Sequence, residues 1–382
     1  MDNKLKTKLN LLFLMIVVLI ICIPAVSLNT RREYRSEIDN SMLIEFPEFD
    51  REFPERINRY VEERIGFRVR IITAYQDINN KLFHYLAHPL YEYGREDWIM
   101  TRNWDAEQTY HLDVSDDYIH AFAEYVDDIK DVSLQNNARF VFVLIPNKET
   151  IYYDKISPGY NINYESITKS DRIINELNRR KINNVYFRDL FLEKKDELLL
   201  YNKKNDAGHW NDNGAIIGMT ELYDYLTNQM GISVEPIRKD EFELSYTTAE
   251  YLLESFIRID ETVPQYILKK ENYELSDDSY WEGCDLINSN AYRSHTYNEE
   301  LYEKGAPSIL IFGDSYILLR EKYFANNFSE AAIVHRSESP NIVQYINKMH
   351  PDIVVLEATE RVIGPDKDCG FEFLSSYKFS RD

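Results

Sequence analysis

The chain has 382 residues, enough for one large domain or two domains of ordinary size. It contains 65 acidic and 44 basic residues, and the net charge of −21 argues against a nucleic-acid partner and against general binding to anionic membranes. The three cysteines and eight scattered histidines have no metal-binding spacing, so we expect neither a metal nor another cofactor.

The N-terminal segment is apolar. Residues 9–30 contain no charged side chain, and residues 11–23 are apolar without a break, which is long enough for one membrane-spanning helix. Small residues at 25–27 also resemble a signal-peptide cleavage site. The length of the apolar run favours an uncleaved anchor over a signal peptide, and both interpretations place the rest of the chain outside the cytoplasm.

The next segments are predicted to be mostly helical. Between residues 51 and 90, apolar residues recur at helical spacing. Residues 91–101 then look like a short β segment, and residues 117–132 look like an amphipathic helix. We interpret residues 31–110 as an N-terminal extension between the anchor, residues 1–30, and the main domain, residues 111–382.

From residue 139 onward, predicted strands alternate with predicted helices. The strands are 139–146, 184–190, 308–313, 331–336 and 352–357. The helices are one after Pro146, 168–182, one from Asp212 as its cap, one after the strand 308–313 with Ser315 in its first turn, and 340–349. This alternation predicts an α/β fold with a mostly parallel central sheet that is covered by helices on both faces.

Residues 238–305 interrupt this alternation and are rich in tyrosine and acidic residues. We interpret them as an insertion of short strands and loops. Packing is the simpler explanation for the aromatic rings, and a sugar-binding surface is the alternative. Cys284 and Cys369 could pair, although two cysteines do not make a disulfide framework.

The apolar strand 308–313 ends at Gly313, and Asp314 and Ser315 follow it directly. Such residues are common in turns and helix caps. The carboxyl ends of strands in an α/β sheet are also where sites form, and backbone N–H groups at the start of a helix can hold an oxyanion. Ser315 could therefore be a nucleophile, provided that the chain supplies a base.

His209 is the candidate base. It lies in a loop before the helix that begins near residue 212, and Asp206 stands three residues before it. An aspartate that accepts from one ring nitrogen leaves the other nitrogen to face a nucleophile. We predict that Asp206, His209 and Ser315 converge at the carboxyl edge of the sheet. Asp212 is a weaker alternative to Asp206, and a solvated loop histidine is the simpler interpretation of His209 taken alone.

These motifs resemble a known superfamily. Gly313–Ser315 is similar to the nucleophile block of the SGNH (GDSL-type) hydrolases, and Asp206-x-x-His209 is similar to their final block. Residues 351–361 and 141–148 resemble two of their strands. The blocks are permuted, because the histidine half precedes the serine half. That order resembles the branch of alginate O-acetyltransferase and DHHW-type proteins, which modify extracellular polysaccharides.

Further residues fit this branch, although the motifs are short. Trp210 follows the base, Tyr316 follows the serine, and a Glu-Arg pair ends at Arg361. The resemblance implies a three-layer SGNH-like fold, with Ser315 as nucleophile and His209 as general base and then general acid. Asp206 would orient His209.

Two departures matter: the Asp-x-x-His spacing is that of ordinary SGNH enzymes, and the asparagine that serves them as an oxyanion donor is absent after residue 356. Asn147, Lys148 and Arg361 are candidate oxyanion donors beside the Ser315 backbone N–H. Trp210 and Tyr316 are further candidate residues of the substrate site.

The resemblance implies an extracytoplasmic enzyme that moves an acetyl group through Ser315 to a hydroxyl group of a cell-surface polysaccharide or exopolysaccharide. It also implies a multi-pass membrane O-acyltransferase as the acetyl donor. Two alternatives stay open: a secreted esterase or deacetylase with the same triad, and a non-catalytic scaffold of a glycan assembly complex.

Export is directly testable. Protease added to intact spheroplasts should degrade the folded part of the protein while a cytoplasmic marker survives, because everything after about residue 35 follows the apolar segment. Full protection would contradict export. N-terminal sequencing that begins near Leu28 would select the cleaved signal peptide instead of the anchor.

Overall fold

The computed structural model describes residues 3–31, 42–102, 114–160, 163, 166–252, 257–365 and 370–375. Cys369 and the predicted boundary at residue 110 lie outside these residues. The chain divides into two compact units, one made of Met1–His88 with Glu250–Asp260 and the other of Pro89–Ala249 with Glu261–Asp382.

The helices are α1 (Asn3–Val26), α2 (Phe53–Arg64), α3 (Arg68–Phe83), α4 (Asp116–Gln135), α5 (Lys148–Ile151), α6 (Lys169–Arg179), α7 (Arg188–Lys194), α8 (Asp212–Asn228), α9 (Glu299–Glu303) and α10 (Ile342–Met349). The strands are β1 (Tyr91–Tyr93), β2 (Ile99–Thr101), β3 (Arg139–Ile145), β4 (Asn184–Tyr186), β5 (Phe242–Tyr251), β6 (Arg258–Leu268), β7 (Glu274–Leu275), β8 (Arg293–Tyr297), β9 (Ile309–Gly313), β10 (Glu330–His335) and β11 (Ile353–Thr359).

The first unit contains the apolar N-terminal helix and the two helices predicted between residues 51 and 90. Within α1, the 20 residues Leu5–Pro24 have a mean hydropathy of 2.4, and 6% of the most apolar window is buried. This stretch is long and apolar enough to cross a membrane or to serve as a signal sequence. Pro54 starts α2 in its first turn, where its missing N–H needs no partner.

The second unit is built around a seven-stranded sheet in the order β4-β3-β11-β9-β10-β8-β7. The first five strands are parallel, and β8 and β7 extend the sheet antiparallel. All seven residues of β11 and all five of β9 are buried, as expected of parallel strands that are covered on both faces.

Alternate side chains of β3 show the three layers. Val141 and Val143 join one core with Ile216 of α8, whereas Phe140 and Phe142 join the other with Phe122 of α4. The same second core receives apolar residues from α6 and α10. The predicted α/β class, with helices on both faces of a mostly parallel sheet, is therefore confirmed.

The segment 238–305 is more closely joined to the sheet than its interpretation as an insertion suggests. Its β5 and β6 form a separate hairpin, but β8 pairs with β10 and β7 pairs with β8. The sequence of β8, Arg-Ser-His-Thr-Tyr, lacks the apolar run that revealed the parallel strands.

The structure differs from the prediction in several elements. The predicted strand 184–190 ends at Tyr186, and α7 follows it. The cap of α8 is Asn211, whose side chain accepts from the N–H groups of residues 213 and 214, and not Asp212. The predicted helix after Ser315 is wrong, because residues 315–319 form turns in which Leu319 has a left-handed φ of 61°, and the short 3-10 helix Glu321–Tyr323 follows.

Parallel strands β3, β11 and β9 are neighbours, so the residues that follow their carboxyl ends meet at one edge of the sheet.

Candidate active site

Ser315 lies in the turn that follows β9, residues 314–319, which we call the serine turn. Asp314 holds this turn in place. The Asp314 carboxylate, 3% exposed, accepts hydrogen bonds from the Thr359 N–H at 2.9 Å and from the Thr359 hydroxyl at 2.7 Å. It also accepts from the Tyr316 N–H at 2.9 Å. These bonds tie the turn after β9 to the end of β11. Ser315, between Asp314 and Tyr316, is exposed.

The loop that carries the candidate base His209, residues 203–209, is called the base loop here, and it has no regular structure. Residues 203–209, all of them described, form neither helix nor strand. The Glu261 carboxylate, on β6, accepts from three successive backbone N–H groups, those of residues 203, 204 and 205, at 2.6, 2.8 and 2.6 Å. The segment 238–305 thus holds the residues just before Asp206.

Lys148 holds the same loop through its carbonyl groups. Its ammonium group donates to the backbone oxygen of Asp206 at 3.0 Å, to that of Lys203 at 3.4 Å and to that of Ile99 at 2.8 Å. It also lies over the Trp98 ring, 5.4 Å from the centroid. Lys148 is fully buried. It therefore positions the loop through its backbone carbonyls.

The structure brings the three predicted side chains together, although 106 residues separate His209 from Ser315. His209 Nδ1 lies 2.9 Å from Asp206 Oδ2, and His209 Nε2 lies 2.8 Å from Ser315 Oγ. The other oxygen of Asp206 accepts from the N–H groups of Gly208 and His209, both at 2.9 Å. The acid thereby orders its own loop as well as the ring.

The charge of Asp206 follows from these bonds. Burial alone would raise the pKa of the carboxyl group, but the His209 ring and the two backbone N–H groups outweigh burial and hold the pKa below its usual range. An ionised Asp206 accepts a hydrogen bond from His209 Nδ1–H. This tautomer leaves the Nε2 lone pair directed at the Ser315 hydroxyl.

Two aromatic residues cross-link the halves of the site. Trp210 Nε1–H donates to the Tyr316 carbonyl at 2.9 Å, and the Tyr316 hydroxyl donates to the Gly208 carbonyl. Both side chains are buried. Trp210 and Tyr316 therefore join the base loop to the serine turn through hydrogen bonds. Because both side chains are buried, neither ring is exposed to a substrate.

Arg361 is the supplementary candidate that lies beside the ring of the candidate base. Its Nη2 is 3.4 Å from His209 Nε2, and its guanidinium carbon is 5.1 Å from the centroid of the Tyr316 ring. A Cβ atom at Gly208 would overlap Arg361 Nη1, so a larger residue there would displace the guanidinium group. Asn147 is fully buried instead, and its N–H donates to Glu360 at 2.7 Å.

The model of the protein family "SGNH hydrolase-like domain, acetyltransferase AlgX" matches residues 92–333, more than half of this chain. The chain belongs to this family. The match includes both the base loop and the serine turn, and it confirms the resemblance that the motifs indicated. A comparison with curated protein sequences finds no match.

Solved structures agree on the SGNH-like fold. PatB1 of Bacillus cereus superposes with a TM-score of 0.54 at 15% identity, over 75% of this chain and 98% of PatB1. The O-acetyltransferase domain of Pseudomonas putida AlgJ superposes with a TM-score of 0.50 at 12% identity, over 72% and 92% of the two chains. At such identities the likeness is one of fold.

In this SGNH-like domain, Asp212 is not the partner of His209. Its carboxylate accepts from Lys322 Nζ at 2.6 Å, from the Tyr266 N–H at 2.8 Å and from Arg320. Asp212, the weaker alternative to Asp206, therefore pairs with Arg320 and Lys322 and joins α8 to β6 through Tyr266.

The aromatic residues of segment 238–305 divide into two groups. Tyr266 and Trp281 are buried, which agrees with packing. Tyr246 and Tyr302 are 63% and 59% exposed, and they remain available to a ligand.

Glu357 is a residue of the site that was not predicted from the sequence. This residue of β11 is fully buried, and its Oε2 accepts from the Asp314 N–H at 2.8 Å, directly beneath the serine turn. Burial and the nearby Asp314 raise the pKa of the Glu357 carboxyl group well above its usual range. An acidic residue inside an otherwise apolar strand was the available signal.

We expect Glu357→Gln to become increasingly stable relative to wild type as the pH rises from about 4.5 towards neutrality. A carboxyl group with a raised pKa binds its proton more tightly in the folded protein, so its stabilising contribution is lost as the pH rises through that range. Glutamine keeps the oxygen that accepts from Asp314 N–H and does not titrate.

Urea unfolding at a series of pH values measures the difference. Glu357→Ala is the matched control, because it removes the acceptor and should destabilise the protein at every pH tested. A difference between Glu357→Gln and wild type that does not change with pH would contradict the buried, neutral carboxyl group.

Proposed function

We propose that this protein is an extracytoplasmic O-acetyltransferase that passes an acetyl group through Ser315 to a hydroxyl group of a cell-surface polysaccharide or exopolysaccharide. The observation that carries the proposal is the hydrogen-bonded series Asp206–His209–Ser315, which ends on an exposed hydroxyl. Membership of the AlgX acetyltransferase family supports the choice of acyl group and reaction class.

In the first half-reaction, Ser315 Oγ attacks the carbonyl carbon of a donor acetyl ester. Its proton passes to His209 Nε2, and Asp206 stabilises the imidazolium that forms. The tetrahedral intermediate then collapses. The bond between the acetyl carbon and the donor oxygen breaks, the leaving oxygen takes the proton from His209, and acetyl-Ser315 remains.

The negative oxygen of the intermediate needs donors. Within the described residues, the Ser315 backbone N–H donates no hydrogen bond, so it is available for this task. Arg361 is the second donor, since its guanidinium group lies beside His209 Nε2. Loss of one such donor typically lowers kcat by roughly 100-fold.

In the second half-reaction, His209 removes the proton of a sugar hydroxyl, which attacks the acetyl-Ser315 carbonyl. The new ester leaves, and Ser315 regains its proton from His209. Water is the competing acceptor. The absence of the hydrolase asparagine after residue 356 and the exposed tyrosines of segment 238–305 favour a bound sugar over water.

The N-terminal helix supports the proposed location, and the resemblance to alginate O-acetyltransferases supports the proposed donor. An α1 that remains in the membrane would keep the active site at the outer surface, next to a multi-pass membrane O-acyltransferase that supplies acetyl groups. A retained helix also keeps the enzyme near a polymer that is being exported.

We expect the purified full-length protein to cleave a chromogenic acetyl ester slowly, and faster with a suitable oligosaccharide. Ser315→Ala and His209→Ala should each lower kcat by roughly 1,000-fold or more, because the two residues act as a unit, and Asp206→Ala should cost less. Asp212→Asn is the matched control and should keep the activity of the folded protein, since Asp212 does not contact His209.

The product distinguishes the alternatives. Mass spectrometry of the sugar, run beside ester release, should detect acetylated oligosaccharide. Rapid release of acetate without a sugar product across a panel of glycans would favour the esterase, and no turnover that depends on Ser315 would favour the scaffold. Because a PatB1 structure carries a sulfonyl adduct, a sulfonyl fluoride is a suitable second probe for Ser315.

A further inference from the structure

Helix α3 exposes an apolar stripe. Ile71, Tyr75, Ile78 and Leu82 follow one another at intervals of four, three and four residues, which places them on one face of the helix. Their exposed fractions range from 47% to 71%. Phe67, which precedes the first turn, is 49% exposed. An exposed stripe along a whole helix marks an interaction surface and not a solvated one.

The start of α3 is joined to the end of the candidate membrane span. The Gly66 N–H donates to the carbonyl of Pro24, the last residue of the span, at 3.0 Å. The Asn29 N–H donates to the Arg64 carbonyl at 2.8 Å. A Cβ atom at Gly66 would overlap Ser27, so glycine is required there. Helix α3 therefore begins where α1 would leave a bilayer.

Arg64 reinforces this junction. Its guanidinium group is 2% exposed and donates to three backbone carbonyls, those of Asn29, Arg31 and Ile44, at 2.7 to 3.2 Å. The chain that leaves α1 is thus bound to the α2–α3 corner, whereas a cleavage at residues 25–27 would remove only the bond between Gly66 and Pro24.

The local charge also differs from that of the whole chain. Residues 64–83 contain four basic residues, Arg64, Arg68, Arg70 and Lys81, and the single acidic residue Asp77, whereas the whole chain has a net charge of −21. Exposed Arg70 and Lys81 lie along one side of the apolar stripe, where Lys81 also pairs with Asp77 at 3.7 Å. Apolar side chains edged by basic ones are typical of helices that lie in a bilayer interface.

A second apolar feature of the same unit lies before and within α2. Phe49 is 83% exposed and stacks on Phe53 at 4.3 Å between ring centroids, and Phe46 is 57% exposed and contacts Tyr60. Phenylalanine side chains are among those that enter the boundary between headgroups and acyl chains on interfacial helices.

We propose that α3 lies in the interface of the bilayer that α1 spans, with Ile71, Tyr75, Ile78 and Leu82 among the acyl chains and the flanking basic residues among the phosphates. The occupant of the stripe is the lipid surface itself. This inference rests on the retained anchor of the proposed function and is independent of the chemistry at Ser315. Its consequence is a first unit attached to the membrane by a helix along the surface as well as by a spanning helix.

The test uses the full chain in vesicles of phosphatidylcholine and phosphatidylglycerol. Single spin labels are placed by Ile71→Cys, Ile78→Cys and Leu82→Cys in a background without Cys22, Cys284 and Cys369. Collisions with oxygen, which concentrates among acyl chains, are compared with collisions with a water-soluble nickel chelate. The matched controls are Glu62→Cys, exposed on α2, and Leu12→Cys, within α1.

We expect the oxygen-to-nickel ratio at the three stripe positions to rise above that at Glu62 and towards that at Leu12. A ratio like that of Glu62 would show that the stripe faces water, and protection from both agents would show that protein covers it. Either result overturns the inference alone. A low ratio at Leu12 would show that α1 is not inserted, and it would overturn the anchor and the inference together, whatever the activity of Ser315.

Discussion

The geometry of the site depends on how an irregular loop is held between two charged side chains. Residues 203–209 lack helix and strand, so their backbone groups need partners from elsewhere. Glu261 accepts from three N–H groups of this loop, and Lys148 donates to two of its carbonyls. Each charge is paired with peptide dipoles of the opposite sense, which offsets the cost of burying it. The result is a loop rigid enough to aim Asp206 and His209.

The serine half is held by separate contacts, and the two halves are joined where they meet. Asp314 binds the end of β11, and Glu357 of the same strand supports it from below. Trp210 and Tyr316 then bridge the base loop and the serine turn through reciprocal hydrogen bonds to backbone carbonyls. Because β11 lies between β3 and β9, residues from widely separated parts of the chain meet at one edge of the sheet.

The parallel strands and the main motif residues were predictable from the sequence, because buried parallel strands are apolar along their whole length and the motifs stand at their ends. The antiparallel strand β8 was not predictable in this way, because its sequence, Arg-Ser-His-Thr-Tyr, contains no apolar run. The helix expected after Ser315 is replaced by turns, in which Leu319 has a left-handed φ. The tasks of Lys148 and Glu261 depend on contacts between segments 49 to 58 residues apart, which no local pattern encodes.

The central claim, that Ser315 carries the acetyl group, is tested most directly by trapping the intermediate. The full-length protein is mixed with an acetyl ester, quenched in acid within the first turnover and digested for mass spectrometry. We expect the peptide that contains Ser315 to gain the mass of one acetyl group, and to lose it when an acceptor sugar is added before quenching. Acetylation of another residue, or an unmodified Ser315 peptide during turnover, would contradict the account.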